Sequence, residues 1–208
     1  MLSIPRRPFR LLLAAIWASG LVCARQYEDQ DYWNKVYGEQ QNIFVRRPTA
    51  LLVSAVQGRR PGKALDIGMG QGRNSIFLAQ QGWEVTGFDP SEEGVRQARE
   101  QAKKLGVHLQ AVVAREESFD LGAAQWDLIV MTYVRRVGAG DADRFARALK
   151  PHGIFVYENN NVGTQNDSLR EFLNWRILRF EDLETTSDWH PERPQRVERL
   201  VAERPEVH

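Results

Sequence analysis

The chain has 208 residues, of which 42% are hydrophobic, 10% aromatic and 26% charged. This length and composition fit one globular domain with a sizeable core and leave little room for a second. The formal net charge of +1 excludes a bulk attraction to nucleic acid or to an acidic membrane, and no internal repeat indicates a solenoid or an array.

The first 24 residues differ from the rest of the chain. Arg6, Arg7 and Arg10 precede an apolar run over residues 11–22, and Ala24 follows as a small residue at a cleavage position. This order is typical of a secretory signal, and Arg6-Arg7 resembles the twin-arginine export motif. The run is shorter than the roughly 20 residues of a membrane-spanning helix, so no stable span is expected after cleavage.

The N-terminal pattern therefore predicts a signal peptide over residues 1–24 and an exported, periplasmic protein. A buried or amphipathic N-terminal helix, or a start codon placed too early, is the alternative and would leave the protein cytoplasmic. Helical patterns over residues 27–37 and 48–56 then predict a helical cap segment, residues 25–62, in front of a main domain over residues 63–208.

From residue 63 onward, short apolar runs alternate with helical patterns. The predicted strands cover residues 64–67, 84–88, 108–113, 126–131 and 154–157, with helices over 74–81, 91–105 and 141–149. Strands separated by helices indicate βαβ units and a mostly parallel sheet. Two further strands, 175–186 and 195–203, with Pro191 and Pro194 in their connection, predict an antiparallel hairpin. The fold class is therefore α/β, doubly wound and Rossmann-like, with a mostly parallel seven-stranded sheet and a C-terminal hairpin.

Between the first strand and its helix lies a turn with three alternating glycines, Gly68, Gly70 and Gly72. Such glycines permit positive φ angles and let a ligand touch the backbone. The turn suits either a dinucleotide or S-adenosylmethionine. Arg73 stands where the dinucleotide fingerprint has its third glycine. Asp66, just before the turn, would repel a pyrophosphate but suits the positive ammonium and sulfonium groups of S-adenosylmethionine.

A second acid, Asp89, ends the second strand, where a carboxylate can accept hydrogen bonds from both hydroxyls of a ribose. Ligands of open α/β sheets bind outside the carboxyl ends of the strands, so Asp66 and Asp89 are expected at one site. Each also has a plainer interpretation. Asp66 could cap the turn that follows it, and Asp89 could simply begin a helix that Ser91 caps.

Four features in this order resemble the motifs of the class I S-adenosylmethionine-dependent methyltransferases of small-molecule type: residues 66–72, Asp89, residues 126–131 and residues 149–155. The resemblance implies S-adenosyl-L-methionine as the cofactor. It implies that the methionine part is held by Asp66, Gly68, Met69, Gly70 and Gly72, and the ribose by Asp89. Glu116 would contact the adenine, although Arg115 occupies the position where the family has an acid. Thr132 and Tyr133 would line the site.

Residues 32–37 are similar to the cap segment of small-molecule members, including tellurite-resistance-type enzymes. Tyr32, Trp33 and Tyr37 in this segment are either core aromatics or substrate contacts. Tyr133 is the candidate catalytic residue, with ordinary packing as its alternative, and Glu158 and Asn159 are further candidates on the acceptor side. Methyl transfer needs mainly alignment of the two reactants, so the lack of another catalytic motif does not oppose this interpretation.

The methyl acceptor is expected to be a small molecule, because no Asn/Asp-Pro-Pro-aromatic run of amino-methylating members is present. No basic stripe interleaved with aromatics indicates a nucleic-acid partner, and no spacing of His and Cys indicates a metal site. Two alternatives remain: a non-catalytic protein that binds a nucleoside or S-adenosylmethionine and, with less support, an NAD(P)-dependent oxidoreductase. The acceptor atom and the oligomeric state are not encoded in any recognisable pattern.

Overall fold

The computed structural model describes residues 30–39, 47–160, 163–187 and 190–206. The predicted signal peptide and its cleavage site lie outside these residues, as does the beginning of the helix predicted over residues 27–37. Within the described ranges, no helix combines the length and the apolar character needed to cross a membrane.

Seven strands form one sheet in the order β3-β2-β1-β4-β5-β7-β6. The first five strands pair in parallel, and β7 runs antiparallel to both of its neighbours. The strands are β1 (Lys63–Ile67), β2 (Glu84–Asp89), β3 (Gln110–Val113), β4 (Trp126–Thr132), β5 (Leu149–Asn159), β6 (Arg176–Ser187) and β7 (His190–Glu203). This sheet confirms the predicted doubly wound α/β fold with a C-terminal hairpin.

Helices flank the sheet and follow the predicted pattern closely. They are α1 (Gln30–Glu39), α2 (Ala50–Val56), α3 (Arg73–Gln80), α4 (Glu92–Leu105), α5 (Asp141–Ala148) and α6 (Asp167–Glu171). At the start of α4, the Ser91 hydroxyl accepts a hydrogen bond from the Gly94 N–H at 3.1 Å, and Gly106 ends the helix with a φ of +67°. Sequence signals for a cap and a stop therefore placed α4 correctly, whereas the short α6 was not predicted.

The C-terminal half departs from the prediction in two places. Residues 150–153, expected as a turn, belong to β5, where the register with β4 shifts and His152 has a φ of +62°. Pro191 and Pro194, expected in the hairpin connection, lie within β7. That expectation was wrong because β5 pairs with β7 only from Glu198 to Glu203. Among the described strands, the part of β7 that holds the two prolines pairs with β6 alone, and proline is tolerated where a strand lies at the edge of a sheet.

Alternate side chains of the central strands enter two cores on opposite faces of the sheet. On β4, Ile129 and Met131 join one core, whereas Leu128 and Val130 join the other. Helix α5 covers the first core, and α2 and α3 cover the second. Burial on both faces is expected of parallel strands joined by helices. Asp66 alternates along β1 with residues of the first core, so its side chain lies on the face that α3 covers.

Candidate functional site

The strand order reverses between β1 and β4, and a cavity of about 460 Å³ opens at the carboxyl ends of these strands. Such a reversal is where open α/β sheets bind their ligands. Most of the residues predicted to hold a cofactor lie in the cavity wall: Asp66, Gly68, Met69, Gly70, Asp89 and Thr132. The fold thus brings together the segments that follow β1, β2 and β4.

The glycine loop brings backbone amides to this cavity. Gly70 has a φ of +53° and donates its N–H to Asp89 Oδ2 at 2.9 Å. An added Cβ on Gly70 would lie 2.5 Å from the Tyr37 hydroxyl oxygen, so no side chain fits there. Gly72 is not part of the wall. A Cβ on Gly72 would lie 2.9 Å from the Ala98 Cβ on α4, so Gly72 permits close helix packing, and its contact with a cofactor stays a prediction.

Asp66 is an acid among the apolar residues 64–67 of β1, with only 2% of its surface exposed. The Ser75 hydroxyl on α3 donates a hydrogen bond to Asp66 Oδ2 at 2.6 Å. Burial raises the pKa of Asp66 to about 6, against the opposing effects of that hydrogen bond and of the Arg73 charge. Lost hydration therefore destabilises the carboxylate, and a positively charged ligand in the cavity would offset that loss.

Asp89 is 5% exposed and receives two backbone hydrogen bonds. Its Oδ1 accepts from the Ser91 N–H at 2.8 Å and its Oδ2 from the Gly70 N–H at 2.9 Å. Burial raises the pKa of Asp89 to about 6, and the two donors oppose that rise. A carboxylate has about four acceptor positions, so further hydroxyl donors can bind. Asp89 thus starts the turn into α4 and also lines the cavity, and its two sequence interpretations are compatible.

Helix α1 supplies an aromatic wall. Trp33 and Tyr37 line the cavity with their rings stacked at a centroid distance of 5.8 Å, whereas Tyr32 is exposed and outside the wall. Asn34 attaches α1 to α4, because its Oδ1 accepts hydrogen bonds from the Ser91 hydroxyl at 2.8 Å and from the Glu93 N–H at 3.2 Å. Two of the three aromatics therefore face the site.

Arg73 and Asn74 are among the further residues of the cavity wall that the motifs did not assign to it. Asn74 Oδ1 accepts from the Thr49 N–H at 3.0 Å, and its Nδ2 donates to Thr132 Oγ1 at 3.0 Å. Asn74 thereby joins the start of α2 to the end of β4. The positions of Arg73 and Asn74 could have assigned them to the cavity from sequence, because the first turn of a helix after a glycine loop faces the ligand site.

Tyr133 directly follows β4 with a φ of +59°, a conformation that is rare for a bulky residue. It lines the cavity, and its hydroxyl donates to Glu158 Oε1 at 2.5 Å. Glu158 and Asn159 are buried at the end of β5 and are not part of the cavity wall. The structure therefore connects Glu158 with the cavity through Tyr133.

Glu116 lies apart from the other predicted residues, in a second cavity of about 590 Å³. Arg135 Nε donates to Glu116 Oε2 at 2.8 Å and Arg144 donates to Oε1 at 2.7 Å. The carboxylate is thus engaged in ion pairs, and its contact with an adenine stays a prediction. The two cavities adjoin, because three residues line both: Gly68, Pro90 and Val134. Among the described residues, no group of His, Cys, Asp or Glu side chains is placed to hold a metal ion.

Comparison with known sequences identifies similar proteins. Residues 64–153 match a family model described as "Methyltransferase domain". The chain is 30% identical over 122 residues to the probable S-adenosyl-L-methionine-dependent methyltransferase TehB of Haemophilus influenzae, a match covering 55% of this chain and 36% of TehB. It is 33% identical over 117 residues to the ribosomal RNA small subunit methyltransferase C of Alcanivorax borkumensis, covering 51% of this chain and 35% of that protein.

A third relative, the ubiquinone biosynthesis O-methyltransferase of Rhizobium leguminosarum, is 32% identical over 149 residues, covering 69% of this chain and 54% of that enzyme. The chain thus spans between about a third and a half of these relatives' lengths. The crystal structure of TehB from Haemophilus influenzae superimposes with a TM-score of 0.59 at 21% identity, over 85% of this chain and 67% of that one. At that identity, the structural likeness bears on the fold.

Proposed function

We propose that this protein transfers a methyl group from S-adenosylmethionine to a small-molecule acceptor, as a member of the class I S-adenosylmethionine-dependent methyltransferases, whose domain model residues 64–153 match. One observation carries the proposal. Two buried carboxylates, Asp66 and Asp89, line the cavity on either side of a glycine loop with positive φ angles. A site of this composition favours a positively charged nucleoside over a phosphate ester.

The residues present fit this cofactor. Asp66 would bind the positive methionine part, and its raised pKa makes that pairing favourable, because a cation stabilises a carboxylate that burial has destabilised. Asp89 retains acceptor capacity for ribose hydroxyls. Because Gly70 has no side chain, the Tyr37 hydroxyl can lie close to the loop, and the loop itself adds no side-chain bulk there. When bound, the cofactor supplies a methyl group already activated on a sulfonium.

The protein's own contribution is alignment and exclusion of water. Trp33 and Tyr37 close the cavity on the α1 side, and Thr132 and Tyr133 form its β4 side. Holding two reactants in line can lower a barrier by as much as about 7–11 kcal/mol. The Asn74 bridge fixes Thr132 relative to α2 and α3, so the acceptor side of the cavity is rigidly built.

Two considerations support a small-molecule acceptor. The relative from Rhizobium is an O-methyltransferase of ubiquinone biosynthesis, and the net charge of +1 provides no field for a polyanion. The Alcanivorax relative acts on ribosomal RNA, so RNA is the competing acceptor. A labelling experiment that offers both classes decides between them.

We also propose that residues 25–62 act as a cap over the cavity and that residues 1–24 direct export. The cap is supported by α1, which lines the cavity and is attached to α4. The proposed export has one support, the order of arginines, apolar run and small residues at the start of the sequence. The N-terminal residue of the native protein tests it: Arg25 as the first residue supports export, and an intact Met1 with cytoplasmic fractionation contradicts it.

The decisive experiment for the cofactor is calorimetry with the purified protein. We expect S-adenosylmethionine to bind, and Asp89→Asn to weaken binding at least tenfold, about 1.4 kcal/mol. Glu84→Gln is the matched control, because Glu84 begins the same strand at its opposite end and is exposed. Binding of NADH without binding of S-adenosylmethionine would overturn the proposal. Transfer of labelled methyl into a low-molecular-weight metabolite fraction, and not into RNA, identifies the acceptor class.

A further inference from the structure

A chain of polar side chains, buried at Tyr133 and Glu158, leads away from the cavity. The backbone N–H of Tyr133 donates to the Glu158 carbonyl at 2.8 Å, and its hydroxyl donates to Glu158 Oε1 at 2.5 Å. The residue keeps this position at a φ of +59°, which is strained for a tyrosine. Two hydrogen bonds to one residue thus hold the phenol in a fixed orientation.

Glu158 is 3% exposed, and its second carboxylate oxygen faces a cation. Arg199, its register partner on β7, has Nε 3.4 Å from Glu158 Oε2. Arg199 also donates to Glu181 Oε2 on β6 at 3.2 Å, and Glu181 in turn pairs with Arg179. The charges therefore alternate from Glu158 to Arg179, and the buried Glu158 carboxyl has a cationic partner, as buried acids usually do.

The cavity end of this chain is equally well defined. Tyr133 lines the cavity, and the Arg73 guanidinium on α3 lies 5.7 Å from its ring centroid. A phenylalanine would fill the same space and keep the contact with Arg73, so packing does not require the hydroxyl. A phenol that donates to a carboxylate keeps lone pairs on its oxygen, which can accept a proton from a group in the cavity.

We propose that Tyr133 and Glu158 form a proton-accepting pair, with Tyr133 as the catalytic residue and Glu158 as the residue that positions it and receives the proton, and that the acceptor is therefore an alcohol, phenol or thiol. This inference rests on the proposed methyltransferase function and narrows its substrate class. An acceptor with no proton on the reacting atom, such as a tertiary amine or a thioether, needs no such pair.

The step balances without a further reactant. The acceptor's O–H or S–H proton moves to the Tyr133 oxygen while the Tyr133 hydroxyl proton moves to Glu158. The electron pair released on the acceptor oxygen or sulfur forms the bond to the methyl carbon, and the pair of the broken carbon–sulfur bond stays on the leaving sulfur. Arg199 and Glu181 remain in place, and Glu158 returns its proton to solvent after product release.

The first test separates chemistry from cofactor binding. We expect Tyr133→Phe and Glu158→Gln to bind S-adenosylmethionine within about threefold of wild type, while kcat toward simple thiols and phenols falls at least a hundredfold, the lower end of general base catalysis. The acidic limb of the wild-type pH profile of kcat, measured with S-adenosylmethionine at saturation at every pH, should disappear in both variants, and Glu158→Asp should restore part of the rate. Glu184→Gln, an exposed acid on β6, is the matched control.

Equal loss of cofactor binding in both variants would instead show a structural role and overturn the proposal. So would methyl transfer only to amines or carbon acids, or unchanged kcat in either variant. If wild-type protein itself does not bind S-adenosylmethionine, the proposed function fails, and that result is distinct from all of these.

A second readout needs no methyl transfer. With S-adenosylhomocysteine present, 4-nitrophenol and 4-nitrothiophenol bound in the cavity should show the absorbance of the phenolate or thiolate at a pH where the free probes are mainly protonated. We expect that band to be lost in Tyr133→Phe and Glu158→Gln and kept in Glu184→Gln. Bound probes that stay protonated in wild type, or that ionise equally in all variants, would overturn the inference.

Discussion

Replacing Asp66 by asparagine should stabilise the cofactor-free protein while removing its ability to bind S-adenosylmethionine. Burial raises the pKa of Asp66 from 3.8 to about 6, so the folded chain holds this carboxylate at a disadvantage relative to the unfolded chain. Between these two pH values the folded state binds more protons than the unfolded state, and stability therefore falls as the pH rises through that window. Asparagine keeps the size of the side chain and carries no charge.

The size of the effect follows from the shift. About two pH units at roughly 1.4 kcal/mol each correspond to about 3 kcal/mol of destabilisation at neutral pH. We expect Asp66→Asn to recover on the order of 1–3 kcal/mol, measured as an increase in the urea midpoint without a change in slope. With S-adenosylmethionine at a hundred times its Kd, wild type should gain about 2.7 kcal/mol, and the variant should gain little.

The control is Asp182→Asn. Its hydrogen bond with Arg196 lowers the pKa of Asp182, so removing that carboxylate should lower stability, the opposite sign from Asp66→Asn. A folded Asp66→Asn protein that unfolds at lower urea than wild type, without cofactor and at about pH 7.5, would refute the account of Asp66 as a destabilised carboxylate. So would a variant that still binds S-adenosylmethionine with wild-type affinity.

Two other predictions concern the cofactor site. The affinity for S-adenosylmethionine should fall as the pH is lowered from about 7 to about 5, because the pKa of both Asp66 and Asp89 is about 6. Protonated Asp66 no longer attracts a cation, and protonated Asp89 has less acceptor capacity for the ribose hydroxyls. Calorimetry across this range checks the prediction, and constant affinity contradicts it. Asn34→Ala should lower the free energy of unfolding by about 1 kcal/mol, the usual contribution of a helix-capping side chain. Amide hydrogen exchange in α1 should become faster, and unchanged exchange would show that Asn34 does not attach α1 to α4.

The sequence was most informative where local chemistry and ligand chemistry coincide. The glycines after β1 have the positive φ angles that only glycine adopts easily, and Ser91 and Gly106 bound α4 as caps usually do. The acids Asp66 and Asp89 could be assigned to one cavity because parallel strands end at one edge of the sheet. These features depend on neighbours in sequence and on a general rule of topology.

Features that depend on long-range contacts could not be predicted. No sequence pattern near Glu158 indicates that its carboxylate accepts a hydrogen bond from the Tyr133 hydroxyl, 25 residues away. The partners of Glu116 are likewise distant: Arg144 is 28 residues further along the chain. Pro191 and Pro194 were expected in the hairpin connection because proline usually interrupts a strand, whereas they lie in the part of β7 that, among the described strands, pairs with β6 alone. Each of these required knowledge of which strands lie side by side.

The two hydrogen bonds of the Asn74 side chain restrict which residues can occupy position 74. Its carbonyl oxygen accepts a hydrogen bond from the Thr49 backbone N–H, and its amide NH2 donates one to the Thr132 hydroxyl. Aspartate offers no donor, leucine offers neither function, and glutamine is one methylene longer. A carboxamide of this length meets both requirements, with an acceptor and a donor on one short side chain. Position 74 therefore indicates whether a distant relative keeps the same geometry between its leading helix and its central strand.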